Sequence, residues 1–217
     1  MALDTIFAQL ARFGVVPVIA IDHVEYALPL ADALIRGGLP VAEITFRTAA
    51  AAEVISIMAK ERPQLLLGAG TVLTPKIAET AKACGAQFAV APGLNPRVVA
   101  HARQIGLPFV PGVATPSDIE AGLELDCQLL KFFPAEALGG VAMLDALSAP
   151  YRHTGLRFMP TGGASPGNLA AYVKLATVAT VGGTWIAKNE DMAAGRWAAI
   201  SERCQAALAI VAAARGA

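Results

Sequence analysis

Residues 65–85, LLLGAGTVLTPKIAETAKACG, contain one strand, one turn and one helix in succession. The run Leu65–Gly68 is short and apolar, which is typical of a buried strand. Thr74 and Pro75 combine a capping side chain with proline at the first helical position, and this pair predicts the start of a helix. Gly85 falls where that helix must end and the chain must turn back. The stretch therefore predicts one βα unit.

The same unit recurs along the chain. Further helix starts are predicted at Asn95-Pro96, Thr115-Pro116 and Ser165-Pro166, and Asp22 with Glu25 resembles a capping box. Helix ends are predicted at Gly37-Gly38 and at Gly106. Eight β-rich runs alternate with stretches of helical length: Val15–Ile21, Ala42–Phe46, Leu65–Gly68, Phe88–Ala91, Pro108–Val110, Leu129–Phe133, Leu156–Met159 and Val178–Val181. Such alternation requires crossover connections between parallel strands.

Eight βα units in 217 residues predict a compact (β/α)8 TIM barrel, with residues 1–217 forming a single domain. Residues 2–13 predict an extra N-terminal helix, and Ile200, Cys204, Leu208 and Val211 mark one face of the last helix. The alternative fold is a doubly wound open sheet. Its first βα turn would carry G-x-G-x-x-G, which this sequence lacks there.

Composition excludes several classes of protein. The chain is 55% hydrophobic and 16% charged, which is incompatible with disorder, and its 17 basic and 17 acidic residues cancel. No run of Lys and Arg suggests binding to nucleic acid or to anionic lipid. The sequence shows neither a signal peptide nor an apolar run long enough to cross a bilayer, so we expect a cytoplasmic protein. The three cysteines and three histidines are scattered, so we expect no disulfide and no metal site.

Alternation along the second strand separates polar from apolar side chains. Glu43, Thr45 and Arg47 share one face, and Ile44 and Phe46 share the other. In a barrel wrapped by helices the apolar face is the outer one. The three polar side chains are therefore predicted to line the lumen and to rise toward the C-terminal mouth, where barrel enzymes build their active sites.

Lys131 is the only charge in the apolar run 129–133, LLKFF. Alternation places Lys131 and Phe133 on one face of the sixth strand, which lies opposite the second strand in an eight-stranded barrel. Glu43 and Lys131 are thus predicted to converge across the lumen. Two structural alternatives remain open on these residues alone: Lys131 reaching water at a strand end, and Glu43 pairing with Arg47 as a structural ion pair.

Two glycine pairs follow the seventh and eighth strands. Gly162 and Gly163 end one, and Gly182, Gly183 and Thr184 end the other. These are the two loops in which barrels commonly bind phosphate through backbone N–H groups. One such pair is usually just a tight turn, but two at these strand ends, with a hydroxyl beside them, favour a phosphate site.

Other residues at the predicted mouth complete the candidate substrate site. Thr71 offers a hydroxyl beside Arg47, which can receive a carboxylate through charge-assisted hydrogen bonds. Thr161 lies next to the first glycine turn, where it can contact a substrate. Phe133 shares the face of Lys131, and Pro92 shapes the mouth after the fourth strand.

Five motifs together resemble the bacterial 2-keto-3-deoxy-6-phosphogluconate (KDPG) aldolases, a family that includes the 4-hydroxy-2-oxoglutarate (KHG) aldolases. They are VAEITFRT (41–48), GAGTV (68–72), KFFPAE (131–136), PTGG (160–163) and GGTW (182–185). The resemblance covers most of the chain, from about residue 15 to residue 185. It implies a homotrimeric class I aldolase that needs no cofactor and acts on phosphorylated 2-keto-3-deoxy sugar acids and pyruvate.

The resemblance also implies roles for individual residues. Lys131 would form the Schiff base with pyruvate, and Glu43 would move protons. Arg47 and Thr71 would hold the pyruvyl carboxylate, and the two glycine turns with Thr184 would hold the distal phosphate. One departure concerns Thr184, where the family more often has serine; threonine keeps the hydroxyl and adds a methyl group.

Two other functions fit the same barrel. A phosphosugar isomerase or epimerase would use the phosphate loops with a carboxylate base and no imine. A non-catalytic phosphometabolite sensor would keep the pocket without turnover, although both Lys131 and Glu43 are present. Among the aldolase substrates, the KDPG skeleton, its C4 epimer and 4-hydroxy-2-oxoglutarate remain open.

Overall fold

The computed structural model describes residues 3–216, in which strands and helices alternate. The strands are β1 (Val15–Ile19), β2 (Val41–Thr45), β3 (Leu66–Gly70), β4 (Phe88–Val90), β5 (Phe109–Val110), β6 (Gly112–Val113), β7 (Leu129–Phe132), β8 (Arg157–Phe158) and β9 (Val181–Gly183). The helices are α1 (Leu3–Phe13), α2 (Ala27–Arg36), α3 (Ala51–Glu61), α4 (Pro75–Ala83), α5 (Pro96–Gln104), α6 (Pro116–Glu124), α7 (Gly140–Ser148), α8 (Pro166–Val173), α9 (Asn189–Ala193) and α10 (Trp197–Arg215). Short 3-10 helices cover Val24–Tyr26, Glu136–Leu138 and Ala149–Thr154.

Every pairing between these strands is parallel, which confirms the α/β class. One curled sheet has the order β5-β4-β3-β2-β1-β9, and a second has the order β6-β7-β8. In register, Glu43 on β2 lies between Val18 on β1 and Gly68 on β3, and Lys131 on β7 pairs with Gly112 on β6. The carboxyl ends of these strands therefore face the same way, as βαβ crossovers require.

The fifth and eighth predicted strands differ from the observed ones. The predicted strand Pro108–Val110 continues as β6 after an interruption at Pro111, because proline has no N–H to donate to a ladder. The predicted strand Val178–Val181 is shifted, since Val178 makes only an isolated bridge to Phe158 and the ladder begins at Val181. A second isolated bridge joins Thr161 to Gly182, between the ends of β8 and β9.

The predicted helix starts are confirmed at most of the capped positions. The Thr74 hydroxyl accepts from Ile77 N, the Asn95 side chain accepts from Arg97 N, and Thr115 forms a capping box with its partner three residues on. The capping box predicted for Asp22 with Glu25 is wrong. The first turn there is 3-10 with no side-chain cap, and the Asp22 carboxylate instead accepts a hydrogen bond from Asn189.

The hydrophobic core fills the space between the outer faces of the strands and the helices. On α10 the predicted face is confirmed, because Ile200, Cys204 and Val211 are buried and Leu208 is partly buried against the core. The predicted N-terminal helix is observed as α1 from Leu3, and residue 2 of the prediction lies outside the described residues. None of the helices described for residues 3–216 has the length and hydropathy needed to cross a membrane.

Candidate active site

Lys131 on β7 and Glu43 on β2 meet inside the molecule, 88 residues apart in sequence. Their Nζ and Oε1 atoms lie 3.5 Å apart, and only 7% of the lysine side chain and 1% of the glutamate side chain are exposed. The predicted convergence is therefore observed, and Lys131 does not reach open water. Glu43 Oε2 is buried without a hydrogen-bond partner among residues 3–216, so one carboxylate oxygen is free to serve a bound molecule.

The space around this pair depends on small residues and one aromatic ring. A Cβ at Gly70 would lie 2.3 Å from Glu43 Oε1, so only glycine leaves room for the carboxylate. A Cβ at Gly68 would similarly meet the Phe88 ring at 2.2 Å. The Phe133 ring centroid lies 5.4 Å from Lys131 Nζ. At this distance the face of the ring can stabilise a cation or pack against an imine formed at that nitrogen.

Arg47 reaches the mouth of the strands and is held by a neighbour on β2. Its Nε donates to Thr45 Oγ1 at 3.1 Å, and that hydroxyl donates to the Ile19 carbonyl on β1 at 3.2 Å. Thr45 is 2% exposed, whereas Arg47 is exposed. The structure thus shows no ion pair between Arg47 and Glu43 among the described residues, which removes that alternative. Sequence reasoning placed Thr45 on the correct face but gave it no role.

Thr71 and Pro92 follow β3 and β4 at the same end of the sheet. Thr71 has φ 59°, a left-handed conformation that is unusual for a β-branched residue and that is often found at functional sites. Pro92 is exposed, and a Cβ at Gly112 would meet its carbonyl oxygen at 2.1 Å. This close approach brings the loop after β4 against β6, beside the strand that carries Lys131.

The first glycine turn follows β8. Gly162 and Gly163 both have positive φ, 98° and 81°, in a conformation that suits glycine. The backbone N–H groups of Gly162, Gly163 and Ala164 have no acceptor among the described residues. Three consecutive free donors on a turn form an anion-binding surface.

The prediction that the second glycine pair follows the last strand is wrong, because Gly182 and Gly183 lie within β9, where they pair with β1. The pair lies directly beside the first turn. A Cβ at Gly182 would lie 2.2 Å from Oγ1 of Thr161, which is itself buried, and a Cβ at Gly183 would lie 2.1 Å from the Trp185 ring. Thr184 is exposed directly after this pair. The first glycine turn and the glycine pair of β9 are therefore adjacent. Conformation favours glycine in the turn, and close packing requires it in β9.

Comparison with known proteins places this arrangement in a family. The family model described as "KDPG and KHG aldolase" matches residues 6–203. The chain belongs to the KDPG and KHG aldolase family. It is 49% identical over 207 residues to the 2-dehydro-3-deoxy-phosphogluconate aldolase of Treponema pallidum, covering 95% of this chain and 98% of that protein. It is 42% identical over 195 residues to the KHG/KDPG aldolase of Escherichia coli K12, covering 89% and 90%.

Solved structures of KDPG aldolases share the fold. The chain superimposes with a TM-score of 0.89 and 39% identity on the Legionella pneumophila KDPG aldolase, whose crystal structure contains pyruvate captured as a covalent carbinolamine intermediate; the match covers 95% of this chain and 98% of that one. A TM-score of 0.86 and 37% identity relate it to the Zymomonas mobilis KDPG aldolase with 3-phosphoglycerate, covering 96% and 95%. Across residues 3–216, no group of three or more His, Cys, Asp or Glu side chains is placed to bind a metal ion.

Proposed function

We propose that this chain is a class I aldolase that reversibly cleaves 2-keto-3-deoxy-6-phosphogluconate to pyruvate and glyceraldehyde 3-phosphate, and that also accepts 4-hydroxy-2-oxoglutarate, releasing pyruvate and glyoxylate. The observation that carries the proposal is the buried pair of Lys131 and Glu43, with one carboxylate oxygen left without a partner among the described residues. Family membership and the adjacent glycine pairs support the same reaction.

In the proposed mechanism Lys131 supplies the electron sink. Its neutral amine attacks the C2 carbonyl of the substrate to give a carbinolamine, and loss of water leaves a protonated imine. When the C4 hydroxyl loses its proton, the C3–C4 bond breaks, and its electron pair moves into the enamine while the aldehyde departs. Protonation of the enamine and hydrolysis of the imine then release pyruvate and restore the amine.

Glu43 is the proposed proton carrier for these steps. It lies within reach of Lys131 Nζ, and its free Oε2 can accept the C4 hydroxyl proton directly or through one water. The same carboxyl then returns a proton to the enamine. Burial favours this role, because a water-poor site strengthens each interaction that the carboxylate makes with the reacting atoms.

The two ends of the substrate have separate proposed binding sites. Arg47 and Thr71 hold the pyruvyl carboxylate, with Phe133 and Pro92 closing the apolar side of the pocket. Thr161 contacts the aldehyde end. The distal phosphate accepts hydrogen bonds from the first glycine turn, where the backbone N–H groups of Gly162 and Gly163 are free, and from Thr184. Gly182 and Gly183 line the same site, although the N–H of Gly182 donates to the Pro160 carbonyl at 2.9 Å.

We further propose that the two sheets close into one (β/α)8 barrel, that residues 1–217 form one domain, and that the chain assembles as a homotrimer in the cytoplasm. Closure is supported by the direct passage from β5 to β6 through Pro111 and by the two bridges that join the β8 segment to Val178 and Gly182.

The trimer is implied by the family, and Leu73, 51% exposed beside an apolar cleft of about 280 Å³, is a candidate contact. Light scattering should then give three times the 22.3 kDa of one chain.

A coupled assay of pyruvate release tests the reaction. The wild-type chain should release pyruvate from 2-keto-3-deoxy-6-phosphogluconate faster than from 4-hydroxy-2-oxoglutarate. Lys131→Arg should abolish release, because guanidinium does not form the imine, whereas the exposed control Lys76→Arg on α4 should behave like wild type. A phosphosugar that changes without pyruvate release would indicate an isomerase or epimerase instead, and binding without any conversion would indicate a sensor.

A further inference from the structure

The chain that leaves Lys131 runs directly beneath the first glycine turn. After Phe133 and Pro134, Ala135 N donates to the Thr161 carbonyl at 2.8 Å and Glu136 N donates to the Gly162 carbonyl at 3.0 Å. These two bonds fix the carbonyl groups of the turn. The segment 135–136 therefore connects the imine-forming strand to the proposed phosphate site.

The side chain of Glu136 packs against the same turn. A Cβ at Gly163 would lie 2.5 Å from Glu136 Cγ and 2.6 Å from Glu136 Cβ. On the other side, a Cβ at Gly140 would lie 3.0 Å from Glu136 Oε1. Glycine at both positions makes room for the glutamate side chain, which fills the space between them.

A buried tyrosine holds the glutamate carboxylate in place. The Tyr172 side chain on α8 is fully buried, and its hydroxyl donates a hydrogen bond to Glu136 Oε1. Burial, with the Glu136 carboxylate as the second cause, raises the pKa of Tyr172, so the hydroxyl keeps its proton over the physiological range. One turn earlier on α8, Asn168 Nδ2 donates to the Gly163 carbonyl at 3.2 Å. Helix α8 thus holds the turn both directly and through Glu136.

We infer that Glu136, held by Tyr172, is the positioning residue that fixes the Gly162–Gly163 turn for the phosphate of the substrate. This inference rests on the proposed function. It assigns to Glu136 and Tyr172 the preference of the proposed aldolase for phosphorylated substrates. Three backbone donors bind a phosphoryl group only when each lies near 2.9 Å from an oxygen, so a small displacement of the turn weakens all of them together. Binding of the pyruvyl end of the substrate, which other elements hold, should not change.

Tyr172→Phe tests the inference by removing a single hydroxyl. We expect KM for 2-keto-3-deoxy-6-phosphogluconate to rise about tenfold, the equivalent of one charge-assisted hydrogen bond. The pyruvate concentration that gives half-maximal borohydride adduct on Lys131 should stay unchanged, and so should kcat. The matched control is Tyr151→Phe, because Tyr151 also donates to a glutamate, Glu120, at 3.1 Å, in a different part of the fold.

Two variants of Glu136 keep the test decisive if Tyr172→Phe fails to fold. Glu136 is exposed as a residue, so Glu136→Ala should fold and raise KM for the phosphorylated substrate as Tyr172→Phe does. Glu136→Gln keeps an oxygen that accepts from Tyr172 and should restore most of the wild-type KM, with Glu120→Gln as its control.

Three outcomes would overturn parts of this scheme separately. An unchanged KM in both Tyr172→Phe and Glu136→Ala, or an equal weakening of the pyruvate and phosphate ends, would overturn the positioning role. A wild-type chain that traps pyruvate on Lys131 but does not cleave the phosphorylated substrate would overturn the substrate assignment, and the positioning role with it. A wild-type chain that traps no pyruvate would overturn the proposed function itself.

Discussion

Lys131 forms a buried pair with Glu43 in which the hydrogen bonding is incomplete. Its side chain is almost fully buried, and Glu43 is its acidic neighbour among the described residues, at 3.5 Å. A separation at the outer limit of a hydrogen bond leaves the carboxylate uncommitted, with Oε2 unpartnered. The hydrogen-bonding capacity of this buried pair is therefore not fully used. The incomplete bonding is unfavourable for stability, and it suits a site in which the substrate supplies the remaining hydrogen bonds.

Glu43→Gln should separate imine formation from turnover. The amide is the same size as the carboxyl group but cannot accept and return a proton, so we expect kcat to fall by about a hundredfold or more while pyruvate still forms an adduct with Lys131. Steady-state rates and borohydride trapping measure the two effects. The exposed Glu124→Gln on α6 is the control. Turnover at the wild-type rate in Glu43→Gln would remove Glu43 from proton transfer.

Alternation along the strands fixed which side chains share a face, and the opposition of the second and sixth strands in an eight-stranded barrel then predicted that Glu43 and Lys131 meet. It did not identify the side chains that support the site residues through tertiary contacts. Glu136 belongs to a quoted motif, yet its partner Tyr172 lies 36 residues away on a different helix. The Thr45 hydroxyl looked like one more polar group in the lumen, although it supports Arg47. Such contacts arise from tertiary packing that a local pattern does not encode.

At the scale of elements, the helix caps were predictable and the strand ends were not. A Thr-Pro or Asn-Pro pair satisfies backbone donors locally, so its meaning does not depend on the rest of the fold. The ends of β5 and β9 depend on which neighbour each residue meets across the sheet. Asp22 illustrates the limit, since its carboxylate bonds to Asn189 on α9 instead of capping the turn beside it.

The segment that follows β9 is held in place by an ionic cluster. Asp191 on α9 is buried, and its carboxylate accepts from Arg196 Nε at 2.7 Å and from Arg203 Nη2 on α10. Arg203 Nε also donates to the Ile186 carbonyl at 2.9 Å. Burial alone would raise the pKa of Asp191, but the hydrogen bonds from Arg196 and Arg203 outweigh it and lower the pKa. This cluster ties the chain that leaves β9 to the last helix.

Asp191→Asn should therefore destabilise the protein in a pH-dependent way. A lowered folded-state pKa contributes stability that is fully present above the unfolded value, near 3.9, and that is lost as the pH falls through the folded value. We expect the variant to lower Tm by about 3–6 °C at pH 7, as loss of about 1.5 kcal/mol does in a chain of this length, because the Arg196 side chain is 51% exposed and water screens its part of the cluster. The difference from wild type should shrink below about pH 4. A Tm difference that is constant from pH 7 to pH 3, measured by calorimetry, would contradict this.

At the scale of the whole molecule, the alternation of strand and helix signals predicted an α/β protein, and one continuous cluster of buried apolar side chains spans the helices and the strands. The cysteines report on that packing. Cys127 and Cys204 are buried, and Cys84 is partly buried. Burial is the first cause that raises the pKa of Cys127 to about 11 and that of Cys204 to about 12.

The folded protein should consequently resist thiol alkylation. At pH 8 a thiol with a pKa of about 11 is ionised to only about one part in a thousand, and only the thiolate reacts. Iodoacetamide followed by mass spectrometry should leave Cys127 and Cys204 unmodified in the native protein, whereas all three cysteines should react in guanidinium chloride. Rapid modification of Cys204 in the native protein would show that α10 does not stay packed against the core.

The most direct test of the proposed reaction is chemical trapping on the intact protein. The chain is incubated with pyruvate, reduced with borohydride, digested and analysed by mass spectrometry, with Lys131→Arg treated in parallel. We predict one reduced pyruvate adduct per chain, located on Lys131 and absent from the variant. An unmodified Lys131, or an adduct on another lysine that persists in Lys131→Arg, would contradict the Schiff-base mechanism.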